Sequence, residues 1–212
     1  MIKLHHNPLS SNSRKVAIVA ALLGLEFESD VIDLMKPEDR KRLGALNPNG
    51  KVPVLEDGDF VLWESTAILQ YLCDKTAGGE RLYPRELRAR AEVNRWLAWG
   101  LNHWSVAIGG ITFERLWKKL VTGHDADPAQ LARHEQSLHP LARVLDAHLA
   151  GRQLLAGSEL TIADVAIASS LDHAAAAKLP LEPYANVRAW FERMSALPAW
   201  KNTAPSPLGR VA

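Results

Sequence analysis

An α/β layer followed by an all-helical domain is the fold class this sequence predicts, and three observations predict it. Strand and helix patterns alternate through the first third of the chain, a Gly- and Pro-marked linker follows, and beyond that linker no strand pattern recurs. The boundaries read this way are 1–78 for the first domain, 79–86 for the linker and 87–212 for the helical domain.

The elements follow in order. Ile2 and Leu4 alternate with Lys3 and His5, the two-residue period of a short strand, which Pro8 ends. Val16, Val19, Ala20 and Leu23 recur at helical spacing until Gly24. Phe27 to Asp33 reads as a second strand and Pro37 to Leu46 as a helix with Pro in its first turn. Asn47-Pro48-Asn49-Gly50 is a turn. The runs Val52 to Leu55 and Phe60 to Trp63 flank Asp57-Gly58, the chemistry of a tight hairpin. Helical spacing returns from Glu64 to Lys75 through Ile68 and Leu72. The order β-α-β-α-β-β-α implies a mixed sheet.

After the linker, Arg85 to Lys119 reads as one long helix or two, weakened or bent where Gly109-Gly110 falls. Pro128 to Ala150 is a further helix with a bend expected at Pro140. Thr161 to Lys178 and Val187 to Leu197 complete the set, and the tail from Thr203 is expected to be irregular.

Composition narrows the classes. Of 212 residues, 47% are hydrophobic and 23% charged, the mix of a globular chain with enough length for a buried core. A net charge of +1 gives no field that favours nucleic acid, and no apolar run is long enough to span a bilayer. Met1 to His6 lacks the charged start and apolar core of a signal peptide, so a cytoplasmic location is the expectation. Cys73 is the single cysteine, which leaves no internal disulfide, and its place in an amphipathic helix reads as a small buried apolar residue.

Common site signatures are absent: there is no dinucleotide-binding or phosphate-binding Gly motif and no Gly-x-Ser-x-Gly. The eight histidines form no metal pattern. His134 and His139 are off a shared helical face, and His5 and His6 point to opposite sides of a strand, so no metal is expected.

Three short segments carry more, each with two readings. Pro8-Leu9-Ser10-Ser11-Asn12-Ser13-Arg14 joins a strand end to a helix start, where unpaired N–H groups stabilise an anion; a helix cap alone explains the same residues. In Asn49-Gly50-Lys51-Val52-Pro53-Val54 the proline belongs at an edge or bend, which either leaves backbone groups to pair with an extended peptide or guards the edge. Trp63-Glu64-Ser65-Thr66-Ala67-Ile68 opens a helix with a carboxylate and a hydroxyl. That is a cap, or else the complement of an α-amino acid head, which offers both an ammonium and a carboxylate.

In this order the segments resemble the glutathione S-transferase family over nearly the whole chain. Pro8-x-Ser10 resembles its opening, Asn47-Pro48 through Val52-Pro53 the turn before its cis-proline strand, and Glu64-Ser65-x-Ala67-Ile68 its Glu-Ser motif. Leu160-Thr161-Ile162-Ala163-Asp164 resembles the capping box of its second domain, a folding element. His5 departs from the pattern, standing where the family usually has Tyr, a position read as structural. With no Tyr or Cys on the first turn, the chain is similar to the serine-type, theta- or phi-like members.

The resemblance implies a thioredoxin-like glutathione-binding domain, an all-α C-terminal helical bundle, a homodimer, and detoxifying transfer of glutathione, the co-substrate, to a small hydrophobic electrophile. It implies Ser10 as the sulfur ligand, with Ser11 and Ser13 as the competing hydroxyls. Glu64 and Ser65 are assigned to the γ-glutamyl head, Val52 with Pro53 to the cysteinyl amides, and Lys51 with Lys41 or Arg40 to the glycyl carboxylate. Trp104, Phe113 and Trp117, from the long helical region, are assigned to the electrophile pocket, with core packing as their other reading. A glutathione-dependent disulfide reductase and a non-catalytic ligand carrier are the alternatives on the same fold.

Overall fold

The computed structural model describes residues 2–204, which form two compact units. Residues 2–84 and 197–204 make the first, and 85–196 the second.

The first unit is built on a four-stranded mixed sheet in the order β2-β1-β3-β4. Strand β1 (Ile2–His6) pairs parallel with β2 (Glu28–Val31) and antiparallel with β3 (Val54–Asp57), which pairs antiparallel with β4 (Phe60–Trp63). The parallel pair needs a crossover, and helix α1 (Ser11–Leu23) supplies it. Gly24, at φ 67°, closes α1 by donating to the carbonyls of Ala20 and Ala21. Alternation along the strands separates two faces. Ile2, Leu4 and Leu55 meet Val16 and Ala20 of α1 and Leu72 of α3 (Ser65–Lys75). Val54, one residue on from Leu55 in pleat terms, packs instead with Ile32 and with Leu43 of α2 (Pro37–Leu46). The Asp57-Gly58 hairpin forms as the sequence predicts, with Asp57 opposite Phe60 and Gly58 at φ 66°.

The first unit also claims a piece of the distant chain end. Helix α10 (Pro198–Asn202) packs on α1: the Arg14 guanidinium lies 5.1 Å from the centre of the Trp200 ring and donates to the Trp200 carbonyl at 3.0 Å. Of the expected helical domain, the described residues 197–204 thus group with the first unit, and a cation–aromatic contact is part of what holds them there. The expected irregular tail lies, from residue 205 on, outside the described residues.

In the second unit, α4 (Leu87–Trp99), α5 (Ser105–Thr112) and α6 (Lys118–Thr122) follow one another without a break. Wider π turns at Gly100–Trp104 and Phe113–Trp117 join them. Gly109 and Gly110, where the sequence predicts a weakened or bent helix, sit inside α5. Gly110 is a point of close approach, since a Cβ there would fall 2.3 Å from the His134 ring of α7 (Pro128–Leu149). Helix α7 is capped by Asp127 and runs through Pro140 without interruption. Helix α8 (Ile162–Ser169) is shorter than the sequence predicts. Beyond Ser169 the backbone closes three-residue turns, as from Leu171 N–H to Ala168 and Ala174 N–H to Leu171. At the end of this stretch Arg115 donates to the carbonyls of Ala177 and Lys178. Helix α9 (Ala185–Ala196) completes the unit.

Asp164 organises that unit's core. Fully buried, its carboxylate accepts from Thr161 N–H and hydroxyl, Leu155 N–H and the Trp190 indole. Burial pushes its pKa up, against the pull of those four donors.

The two neighbouring glycines of α5 give a paired test. Gly109 faces open space, so Gly109→Ala should stabilise by about 0.5–1 kcal/mol through helix propensity. Gly110→Ala should destabilise by about 1–3 kcal/mol through overlap with His134. Urea titrations of the two variants measure both, and equal effects would refute the close-approach account.

Candidate functional site

The candidate site lies where α1 and α3 begin, next to the turn that leads into β3. Two helix N-termini bring unpaired N–H groups and partial positive charge to one region of the first unit. The two starts are tied together: the Ser65 hydroxyl donates to Asn12 Oδ1 in a long bond of 3.4 Å.

Ser10 caps α1. Its Oγ accepts from Ser13 N–H at 3.2 Å. Accepting through a lone pair leaves the Ser10 O–H proton free to donate. Both readings of this residue are therefore compatible, since the cap uses the oxygen and a ligand would use the hydrogen. Ser13 is a first-turn residue of α1. It lies buried within the first turn, where its hydroxyl accepts from Asn7 N–H at 3.3 Å. Ser11 is the first helical residue and is half-buried.

The Val52–Pro53 peptide bond is cis, as the family resemblance implies. Pro53 is buried and Val52 half-buried. The Val52 N–H and carbonyl have no hydrogen-bond partner among the described residues, because the β3 ladder begins only at Val54. Asn47 builds the turn before them, donating to the Lys51 carbonyl at 2.7 Å and accepting from Asn49 N–H at 3.0 Å. Lys51 and Lys41 are exposed and make no side-chain hydrogen bond among the described residues; Arg40 donates to the Leu34 carbonyl at 3.3 Å.

Glu64 stands immediately before α3 at φ 71°, ψ 105°, a conformation that disfavours any side chain with a Cβ. It is exposed, and its carboxylate has no hydrogen-bond partner among the described residues. Ser65 is buried at the first helical position, where its N–H is one of the unpaired donors.

Sequence reasoning missed Lys15. It lies on the face of α1 that also buries Val16, Ile18 and Val19, and only 4% of it is exposed. Its ammonium makes no hydrogen bond among the described residues. Burial lowers its pKa from the ordinary 10.5 to about 8, partly offset by the Glu64 carboxylate. A basic residue inside an apolar helical stripe was the one signal available. Asn12 and Asn47 were also missed as positioning residues, since nothing local distinguishes an amide that ties two elements from one that faces water.

The aromatic assignments separate. Trp104 is fully buried, stacked on Trp99 and donating its indole N–H to the Ile167 carbonyl at 3.3 Å. It is a core residue, and its assignment to an electrophile pocket is corrected on that ground. Phe113 is 40% exposed, and half-buried Trp117 meets His173 edge-on.

A mixed sheet with a cis-proline strand start and two open helix N-termini defines a domain that can hold a short peptide by its backbone and its amino-acid head. Family models for the glutathione S-transferase N-terminal domain match residues 9–75, and for its C-terminal domain residues 114–198. Glutathione S-transferase 3 of Zea mays is 36% identical, with 95% of this chain and 92% of that one covered. Glutathione S-transferase theta-2 of Rattus norvegicus is 33% identical, over 98% and 82%. The solved structure of glutathione S-transferase-I bound with lactoylglutathione is similar at TM-score 0.85 and 28% identity, over 96% of this chain and 98% of that one. The chain belongs to the glutathione S-transferase family.

Lys15 makes stability depend on pH with a definite sign. Its folded pKa lies below its unfolded one, so between about 8 and 10.5 the unfolded state holds more protons. Stability should rise with pH across that window by up to about 3 kcal/mol. Lys15→Met should abolish the rise and stabilise the protein near pH 7. Urea denaturation at the two ends of the window checks this, and a slope that survives the substitution would assign the effect to other groups.

Proposed function

We propose that this protein stabilises the thiolate of glutathione with Ser10 and transfers it to hydrophobic electrophiles. The observation that carries the reading is Glu64, held at positive φ with an unpartnered carboxylate at the start of α3. A side chain kept in a disfavoured backbone conformation at a helix N-terminus fits a ligand-binding role better than a capping one, since its carboxylate caps nothing.

Each part of the tripeptide finds a complement. The γ-glutamyl ammonium meets the Glu64 carboxylate, and the adjoining carboxylate meets the Ser65 hydroxyl and N–H. The cysteinyl backbone pairs with the free N–H and carbonyl of Val52, beside Pro53. Lys51 and Lys41, exposed and without side-chain partners, suit the glycyl carboxylate, as does Arg40. The Ser10 O–H then donates to the cysteinyl sulfur while its oxygen continues to cap α1.

The chemistry is thiolate activation. A free thiol has a pKa of about 8.5, and only the thiolate attacks. A charge-assisted hydrogen bond contributes about 1.5–3 kcal/mol, equal to one or two pKa units, and the α1 N-terminus adds about 0.3–1 kcal/mol. Near pH 7 the thiolate then predominates. Its sulfur forms the new bond to carbon while the leaving group departs with the electron pair of the broken bond, and the thiol proton passes to solvent. Phe113 and Trp117 offer apolar surface to the electrophile. A mixed-disulfide route is disfavoured because Cys73 is buried in α3. No helix of the described residues is long and apolar enough to cross a membrane, which suits a cytoplasmic enzyme. Strand β4, at the edge of the sheet, exposes Phe60, Val61 and Trp63, which suits a homodimer.

Three measurements test the reading. Glu64→Ala with Ser65→Ala should abolish retention on immobilised glutathione with the circular dichroism spectrum preserved; unchanged calorimetric affinity would remove the γ-glutamyl assignment. Ser10→Ala should raise the pKa of bound glutathione by about one to two units and weaken binding far less. Thiolate absorbance against pH measures this, and a shift confined to Ser11→Ala or Ser13→Ala would reassign the sulfur ligand. Sedimentation at micromolar concentration should give twice the chain mass, and a monomer mass would remove the dimer.

A further inference from the structure

The position that departs from the family pattern, His5, is occupied in an unusual way. Only 4% exposed, its Nδ1 lies 2.7 Å from Asp30 Oδ2 on β2, while its Nε2 meets Glu56 Oε1 on β3. Each ring nitrogen therefore has a carboxylate partner, one on each neighbouring strand, and the ring is held between them. Asp30 in turn receives Arg42 of α2 in a two-pronged bond, Nη1 to Oδ2 at 2.8 Å and Nη2 to Oδ1 at 3.3 Å. Arg42 also donates to Asp39 at 3.1 Å, and Asp39 accepts from Asp33 N–H at 2.8 Å. Burial pushes the Asp30 carboxyl up, but Arg42 and His5 together outweigh it and hold the group below its ordinary range.

Helix α2 needs such a tie. It runs through Glu38, Asp39, Arg40, Lys41 and Arg42, and Leu43 is its single buried residue. What α2 positions is the turn before β3. Leu43 and Leu46 share a cluster with Val52 and Val54, and Asn47, at the end of α2, holds the Lys51 carbonyl.

We propose that His5 is a positioning residue for glutathione: through Asp30 and Arg42 it sets where α2 lies against the sheet, and α2 sets the Val52 backbone that pairs with the ligand. The proposal rests on the assignment of Val52 made above. His5 touches no part of the ligand. It acts across the sheet, from the face covered by α2.

Arg42→Gln, at a side chain 53% exposed, should leave the fold intact. His5→Gln and the double variant complete a cycle. Glutathione affinity by calorimetry should fall about three- to tenfold in each single variant. The KM for a generic aryl halide and the kcat at saturating glutathione should stay within about twofold. The double variant should bind no more weakly than the worse single one, because one chain of contacts is cut in both. Unchanged affinity in folded Arg42→Gln would overturn the proposal. Additive losses would overturn it too, since they would make Arg42 a direct ligand of glutathione. A fall in kcat with no change in affinity would reduce His5 to a structural residue. Failure of the unaltered protein to bind glutathione would overturn the reading of the site itself, and this inference with it.

Discussion

The constraint on which the glutathione-binding unit depends is that helices begin with donors they cannot satisfy themselves. At α1 the chain spends one hydroxyl oxygen on the problem, that of Ser10, and leaves the hydroxyl hydrogen over. At α3 Glu64 supplies no side-chain bond to the helix start. The turn before β3 adds a third open position, the backbone of Val52. The Ser65–Asn12 bond keeps the two helix starts together, and Asn47 shapes the turn. On the proposed assignment the ligand meets polar groups that the fold leaves unpaired, so recognition and folding would answer to the same hydrogen-bond requirement.

The helical unit obeys the opposite rule. There one acceptor is over-supplied: Asp164 collects donors from the segment before α8, from the start of α8 and from Trp190 on α9. A buried carboxylate is costly unless its oxygens are filled, and four donors fill them. Gly110 contributes in the same unit by absence of a side chain, which lets α5 and α7 approach at His134.

How much of this was legible in the sequence follows from how local each feature is. The order of elements along the first unit, the Asp57-Gly58 hairpin, α2 from Pro37 to Leu46, the Gly24 stop and the Thr161–Asp164 cap depend on residues a few positions apart, and periodicity or turn chemistry recorded them. The Val52–Pro53 bond and the order of the three site segments came from resemblance. What failed was what distant residues decide. Alanines 174–177 invite a helix where the chain closes shorter turns, Gly110 proves to be a close approach to His134, and Trp200 meets Arg14 of the first unit. Trp104 could not be told from Phe113 by spacing alone, although one is sealed and the other open. Lys15 carried a signal, a cation on an apolar stripe, but its consequence depends on burial that only the packed structure reveals.

The chain of groups from Glu56 through His5 and Asp30 to Arg42 has a consequence for substitution. Replacements within it change what the neighbours face: removing His5 leaves Asp30 and Glu56 without the ring between them, and removing Asp30 leaves His5 and Arg42 without their shared acceptor. A substitution at position 5 is therefore a change in the surroundings of Asp30 and Glu56 as well, and through Asp30 of Arg42. The neighbouring apolar positions Ile2 and Leu4 face no such entanglement and can exchange one at a time.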